Sequence, residues 1–143
     1  MNSFRTKTIL VLLAVIITSI SMANKPNEGE GINITVSPST LVLSRDIGCV
    51  TVHSNITESM MTETNVDLAL LRLSGSVGGF VKPYDMFVDN RGHFVFKFIA
   101  EDVKEIVEVG HQVELSLVSV TIDVDETESL DSLIASDTIR VKE

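Results

Sequence analysis

Tyr84-Asp-Met-Phe-Val-Asp-Asn-Arg-Gly-His-Phe-Val-Phe-Lys-Phe98 is the stretch whose reading decides the fold. Apart from Phe4 in an apolar N-terminal segment, every aromatic residue of the chain falls between Phe80 and Phe98. Asp89-Asn-Arg-Gly92 suits a type I turn followed by a left-handed glycine, the closure of a G1-bulge hairpin. With Gly92 as the bulge, Asp89 stands opposite His93, Val88 opposite Phe94, Phe87 opposite Val95, Met86 opposite Phe96, Asp85 opposite Lys97 and Tyr84 opposite Phe98. Opposed residues share a face and faces alternate along a strand. One face then carries Tyr84, Met86, Val88, Phe94, Phe96 and Phe98, and reads as core. The other carries two polar pairs, Asp85 with Lys97 and Asp89 with His93, and between them the apolar pair Phe87 and Val95. On a face expected to be wet, that pair is either covered by a neighbouring loop or terminus, or forms a partner-binding patch with Asp85, Lys97 and His93 around it.

Outward from the hairpin, residues 32–37 alternate apolar with polar and read as a strand; Pro38 interrupts it, and 40–43 continue as a strand that switches pairing partners. Residues 49–53 form the next strand, with Val50 and Val52 buried and Cys49, Thr51 and His53 facing the other way. A loop is expected over 55–65 and a strand over 66–73, although 60–73 also fits a short amphipathic helix. Beyond the hairpin, Val103, Ile106 and Val107 fall at helical spacing behind acidic first-turn residues, so 101–107 read as a helix of one or two turns. Residues 111–124 form the longest strand, with a slip of phase at Leu117 and Val118 that signals a bulge or a crossing between sheets. An acidic loop over 123–131 and a short strand over 138–141 complete the chain.

The first 23 residues read as a secretory signal: Arg5 and Lys7, an apolar run over 9–17, then Ser21-Met-Ala23 before the expected cleavage. Residues 24–31 read as a flexible leader and 32–143 as one domain, with no membrane span once the signal is removed. The full chain of 143 residues has a formal charge of −9; without its first 23 residues, nine basic face twenty acidic residues, a net −11. Such a surface repels phosphate backbones, which excludes nucleic acid as a natural partner and disfavours anionic membranes. Cys49 is the one cysteine, so no internal disulfide exists. Its thiol is either held in the protein or available for pairing between chains.

Val36-Ser-Pro-Ser-Thr-Leu-Val-Leu43, Thr51-Val-His-Ser-Asn-Ile56, the Asp89 to Gly92 turn with Val95-Phe-Lys-Phe98, Glu101-Asp-Val-Lys104 and Ser136-Asp-Thr-Ile-Arg-Val141 together resemble small secreted bacterial immunoglobulin-like domains. The resemblance covers both ends and the middle of the domain and leaves out residues 57–83 and the acidic loop. It implies a non-enzymatic envelope module, periplasmic or extracellular, and supplies no catalytic residue. The strand pattern agrees with an all-β fold, an immunoglobulin-like antiparallel β-sandwich of about seven strands with one short helical connector.

Candidate chemistry is sparse. His53, His93 and His111 lie on different elements without chelating spacing. Cys49 and His53 are about 13 Å apart along a strand, too far for a nucleophile and base. Asp123, Asp125, Glu126, Glu128 and Asp131 offer hard oxygen ligands for calcium without the EF-hand spacing, against the plainer reading of a solvated acidic loop. Asn33-Ile-Thr35 and Asn55-Ile-Thr57 are glycosylation sequons. No phosphate-binding loop, haem attachment site or nucleophile elbow is present, and no cofactor is expected. The expected function is a protein-binding module, with an assembly or chaperone-like factor using strand addition as a subclass. The alternatives are a subunit that associates with itself or a calcium module.

Overall fold

The computed structural model describes residues 31–143. The expected secretory signal and all but the last residue of the leader lie outside the described residues. Residues 32–143 form one compact unit. Eight strands are found among the described residues: β1 (Ile34–Ser37), β2 (Thr40–Val42), β3 (Cys49–Ser54), β4 (Leu71–Ser74), β5 (Asp85–Val88), β6 (Phe94–Ile99), β7 (Gly110–Ile122) and β8 (Glu128–Lys142). They make two four-stranded sheets, ordered β1-β3-β6-β5 and β2-β8-β7-β4. Val36, Val52, Phe96 and Phe98 of the first and Leu41, Leu73, Leu115 and Leu117 of the second meet in one apolar core. The fold is all-β, as expected. Its strand count is eight, and one pairing, β2 with β8, is parallel, so it is not wholly antiparallel.

The hairpin has the register read from its turn: Asp85, Met86, Phe87 and Val88 stand opposite Lys97, Phe96, Val95 and Phe94. Gly92 sits at φ 81°, and the Asp89 carboxylate accepts hydrogen bonds from the Arg91 and His93 amides. The core face is narrower than expected. Phe96 and Phe98 are fully buried, and the Phe94 and Phe96 rings stack at 6.3 Å, but Tyr84 and Val88 are exposed. β5 is the edge of its sheet, and Tyr84 precedes it. Residues at such a margin have neighbours on one side only.

The expected switch of partners around Pro38 is present: β1 pairs with β3 in one sheet and β2 with β8 in the other. Three other readings need correction. Residues 58–64, expected to be loop, form helix α1 (Glu58–Thr64). The Thr57 hydroxyl accepts the Met60 amide at its start, and Asn65, left-handed at φ 55°, ends it, so the signals are a cap and a stop rather than apolar period. The strand expected over 66–73 is shortened: Asp67 caps a 3-10 turn at Leu68–Leu70, and only Leu71–Ser74 pairs, so the helical connector is not alone. That connector is α2 (Ala100–Lys104), shorter than the expected 101–107: Val103 is buried on the helix, while Ile106 and Val107 are buried beyond its end.

The largest correction concerns the C-terminal part. The acidic loop expected over 123–131 is a turn over 123–127, and β8 begins at Glu128 rather than 138. This turn repeats the build of the first hairpin: the Asp123 carboxylate accepts from the Asp125 and Thr127 amides, and Glu126 occupies the left-handed position at φ 61°. The expected slip at Leu117 and Val118 is present as a register shift, followed by another between Ser119 and Val120. At these two shifts the extra residues, Ile134 and Asp131, are on β8; a further shift, between Gly110 and Val113, lies at the start of β7.

The connection from β4 to β5 crosses between the sheets and is fastened at Gly75. A Cβ there would lie 2.1 Å from the Ile106 carbonyl oxygen, which also accepts the Val77 amide. Gly75→Ala is expected to lower stability by about 2–3 kcal/mol, since a backbone oxygen cannot move aside as a side chain can. Urea unfolding would measure it, and an effect no larger than that of an exposed-site alanine would show that the connection moves freely.

Candidate binding surfaces

Two surfaces carry apolar side chains on ordered strands. The first is the outer face of the sheet containing the hairpin. Thr35, His53, Val95 and Phe87 form one row across β1, β3, β6 and β5; Ser37, Thr51, Lys97 and Asp85 form the next. Val95, at the centre, is 1 % exposed and lies outside the core cluster. Phe87, beside it on the edge strand, is 43 % exposed. Lys97 stands opposite Asp85 in register, with its Nζ 5.5 Å from the centroid of the Phe87 ring, a cation–π arrangement. His93 meets Asp89 through the backbone, donating its amide to the carboxylate and accepting the Asp89 amide at its carbonyl. These hydrogen bonds, with the nearby Arg91, hold the Asp89 carboxyl below the usual carboxylate range. Of the expected apolar pair, only Phe87 presents surface.

Cys49 lies on the same outer face, half-buried, with Sγ 4.0 Å from the Thr51 hydroxyl. The influence of this thiol raises the pKa of the Tyr84 phenol above its ordinary value. A thiol placed between a threonine and a tyrosine is neither a core group nor a freely projecting one.

The second surface is the outer face of the other sheet. Here β7 presents Ser116, Val118 and Val120 outward, opposite Ser136, Leu133 and Leu130 of β8. The two register shifts produce this: with Asp131 and Ile134 as extra residues, Leu130 and Leu133, three apart, reach the same face, at 61 % and 59 % exposure. Beyond Ser119, β7 has only β8 as a strand partner. The hairpin end carries Ile122 and Val124 exposed as well. Neither leucine was expected here, because a strand is sought by its two-residue period, and two inserted residues within five destroy it. Their signal in the sequence is the apolar set Leu130, Leu133 and Ile134 among serines.

Val118 and Val120 are nevertheless buried on this face, and Arg72 of β4 is buried beside them. Arg72 stands opposite Val118, and its guanidinium reaches Glu128, which stands opposite Ile122, so the bridge crosses the row at Val120. Nε and Nη2 both lie 2.8 Å from Glu128 Oε2, and Nη1 donates to the Ala69 and Leu71 carbonyls. The arginine is 3 % exposed. Of the proposed calcium ligands, Glu128 is thus held in an ion pair and Asp123 in its own turn, while Asp125 and Glu126 are exposed. Among the described residues no three His, Cys, Asp or Glu side chains converge in a metal-binding group. His53, His93 and His111 sit on separate parts of the fold, and no described helix is long and apolar enough to cross a membrane.

Two measurements follow from these placements. Phe87→Thr should change stability by less than about 0.5 kcal/mol, whereas Val95→Thr, which puts a hydroxyl into a closed apolar site, should cost about 1–2 kcal/mol; equal effects in urea unfolding would contradict the burial difference. Glu128→Ala leaves the Arg72 guanidinium buried without its counter-charge. It should cost about 2 kcal/mol, against less than about 0.5 for Glu126→Ala two residues away. A neutral Glu128→Ala would mean that Arg72 finds its cover elsewhere. No protein-family model matches the chain, and comparison with curated proteins and with solved structures yields no significant match.

Proposed function

We propose that this chain is a non-enzymatic binding module of immunoglobulin type, exported to the periplasm or cell exterior, that works by protein contact. The immunoglobulin reading is supported by strand order. Taking the eight strands as A, A′, B, C, D, E, F and G gives A-B-E-D in one sheet and A′-G-F-C in the other, the constant-type arrangement, with the first strand divided between the sheets. A short helix before strand F suits the same reading. Export rests on the N-terminal signal pattern. The family suggested by the sequence, small secreted bacterial immunoglobulin-like domains, belongs to this proposal.

The observation that carries the binding role is the β7–β8 hairpin, where Ile122, Val124, Leu130 and Leu133 are exposed together on a paired arm. Apolar side chains gathered on an ordered element cost solubility, and a contact surface is the usual reason for them.

The test is biochemical. Expressed in a bacterial host, the protein should be recovered outside the cytoplasm with Asn24 at its N-terminus, as a monomer that retains one envelope protein in reciprocal pull-downs. Concentration-dependent association, or a Cys49-linked dimer lost on reduction, would put a self-associating subunit in its place. Recovery in the cytoplasm with Met1 intact would overturn export.

A further inference from the structure

The outer face of the β7–β8 sheet is more than exposed. A cleft of about 390 Å³ opens on it, between the β4–β5 connection and the arm. Phe80, Val118, Leu130 and Leu133 give it apolar walls from three separate stretches of chain, and Glu114 and Ser116 complete one side. The arm around it carries one sign of charge. From the start of β7 to residue 139 there are seven acidic residues and no lysine or arginine. Arg72, on the adjoining strand β4, is spent on Glu128.

Resting on the protein-binding reading, we infer that this face takes a basic, apolar segment of a partner protein, its apolar side chains entering the cleft and its cations meeting the acidic arm. Charge selects this occupant. A second copy would bring an identical acidic arm against the first, and like charges brought together in a drying interface oppose association. Nucleic acid and anionic lipid are repelled for the same reason. The mode of docking is also constrained. Strand addition needs a regular open edge, and β8 carries two extra residues along that edge, with Asp137 turned to accept the Val36 amide and Arg140 to Lys142 already paired with β2. The same bulges that blunt the edge aim Leu130 and Leu133 onto the face. Contact by side chains entering the face, rather than by an added strand, is what the arm is built for.

A short peptide with two leucines flanked by lysines serves as probe, with two controls: glutamates in place of the lysines, and serines in place of the leucines. Binding followed by amide chemical shifts should map to β7, β8 and the Phe80 connection. It should weaken at raised salt, and fall at least about tenfold in the Leu130→Ser, Leu133→Ser variant. Both leucines are exposed, so the variant should keep its fold, which an unchanged melting temperature verifies; Phe87→Ser, on the other sheet, should bind the probe as the parent does. Equal binding of the glutamate peptide, shifts mapping to the Phe87 face, or no binding of the lysine peptide would overturn the inference. The second of these would leave a protein-binding module with a different surface. Self-association that the double leucine variant abolishes would place a second copy on the arm and refute the charge argument.

Discussion

One strand holds two sheets together. The segment from Ile34 to Val42 pairs with β3 in the first sheet, passes Pro38, and pairs with β8 in the second. Without an internal disulfide, nothing covalent beyond chain connectivity joins the two layers. Their attachment rests on the shared apolar core and on this crossing, which commits each half of the segment to hydrogen bonds in a different sheet. Asp137 strengthens the junction: its carboxylate accepts the Val36 amide across the boundary, a bond within the first strand supplied by the last.

The crossing has a consequence for β8. Its C-terminal end is fully employed, with β2 on one side and β7 on the other, and its side chains Ile139 and Val141 reach the core. Its N-terminal half has β7 as its one strand partner and is free to depart from regular pairing. Both β8 bulges are located there, and they convert a stretch of polar and apolar residues into an outer apolar face with Leu130 and Leu133 in line. A regular strand would have sent one of the two leucines inward. Arg72 is buried beside the outward valines of β7, and its burial is tolerable because Glu128 and two carbonyls satisfy it. The ion pair, the bulges and the acidic turn are therefore parts of one arrangement: a hairpin supported near β4 and progressively more exposed toward Val124.

Local chemistry announced itself in the chain wherever it was sufficient to specify structure. Asp89 to Gly92 specified its turn, and the turn specified register, because two residues in defined conformations leave only one way to pair the flanking strands. Pro38 and the alternation on either side of it showed a strand changing partners, and the acidic residues ahead of Val103 marked a helical turn, which stops at Lys104, short of Ile106 and Val107. The matching turn at Asp123 was obscured because Glu126 stands where Gly92 stands in the first, and glutamate does not advertise a left-handed conformation. Helix α1 was obscured because its evidence lies in Thr57 and Asn65, not in a buried face. β8 was obscured because its pairing is interrupted twice.

What the sequence by itself determined is the all-β character, the hairpin at its centre, the single unbridged cysteine and the acidic charge, all of which depend on residues close to one another or on simple counting. Only the tertiary structure decided which apolar side chains are surface. Val95 and Phe87 are equivalent in the sequence pattern; one is enclosed by strands on both sides and the other stands on an edge. Leu130 reads as loop and Leu133 falls in no expected strand, and both become an exposed face because strands from elsewhere in the chain set the register that displaces Asp131 and Ile134. Burial depends on neighbours that are remote in sequence, and a strand's own period says nothing of which neighbours it will have.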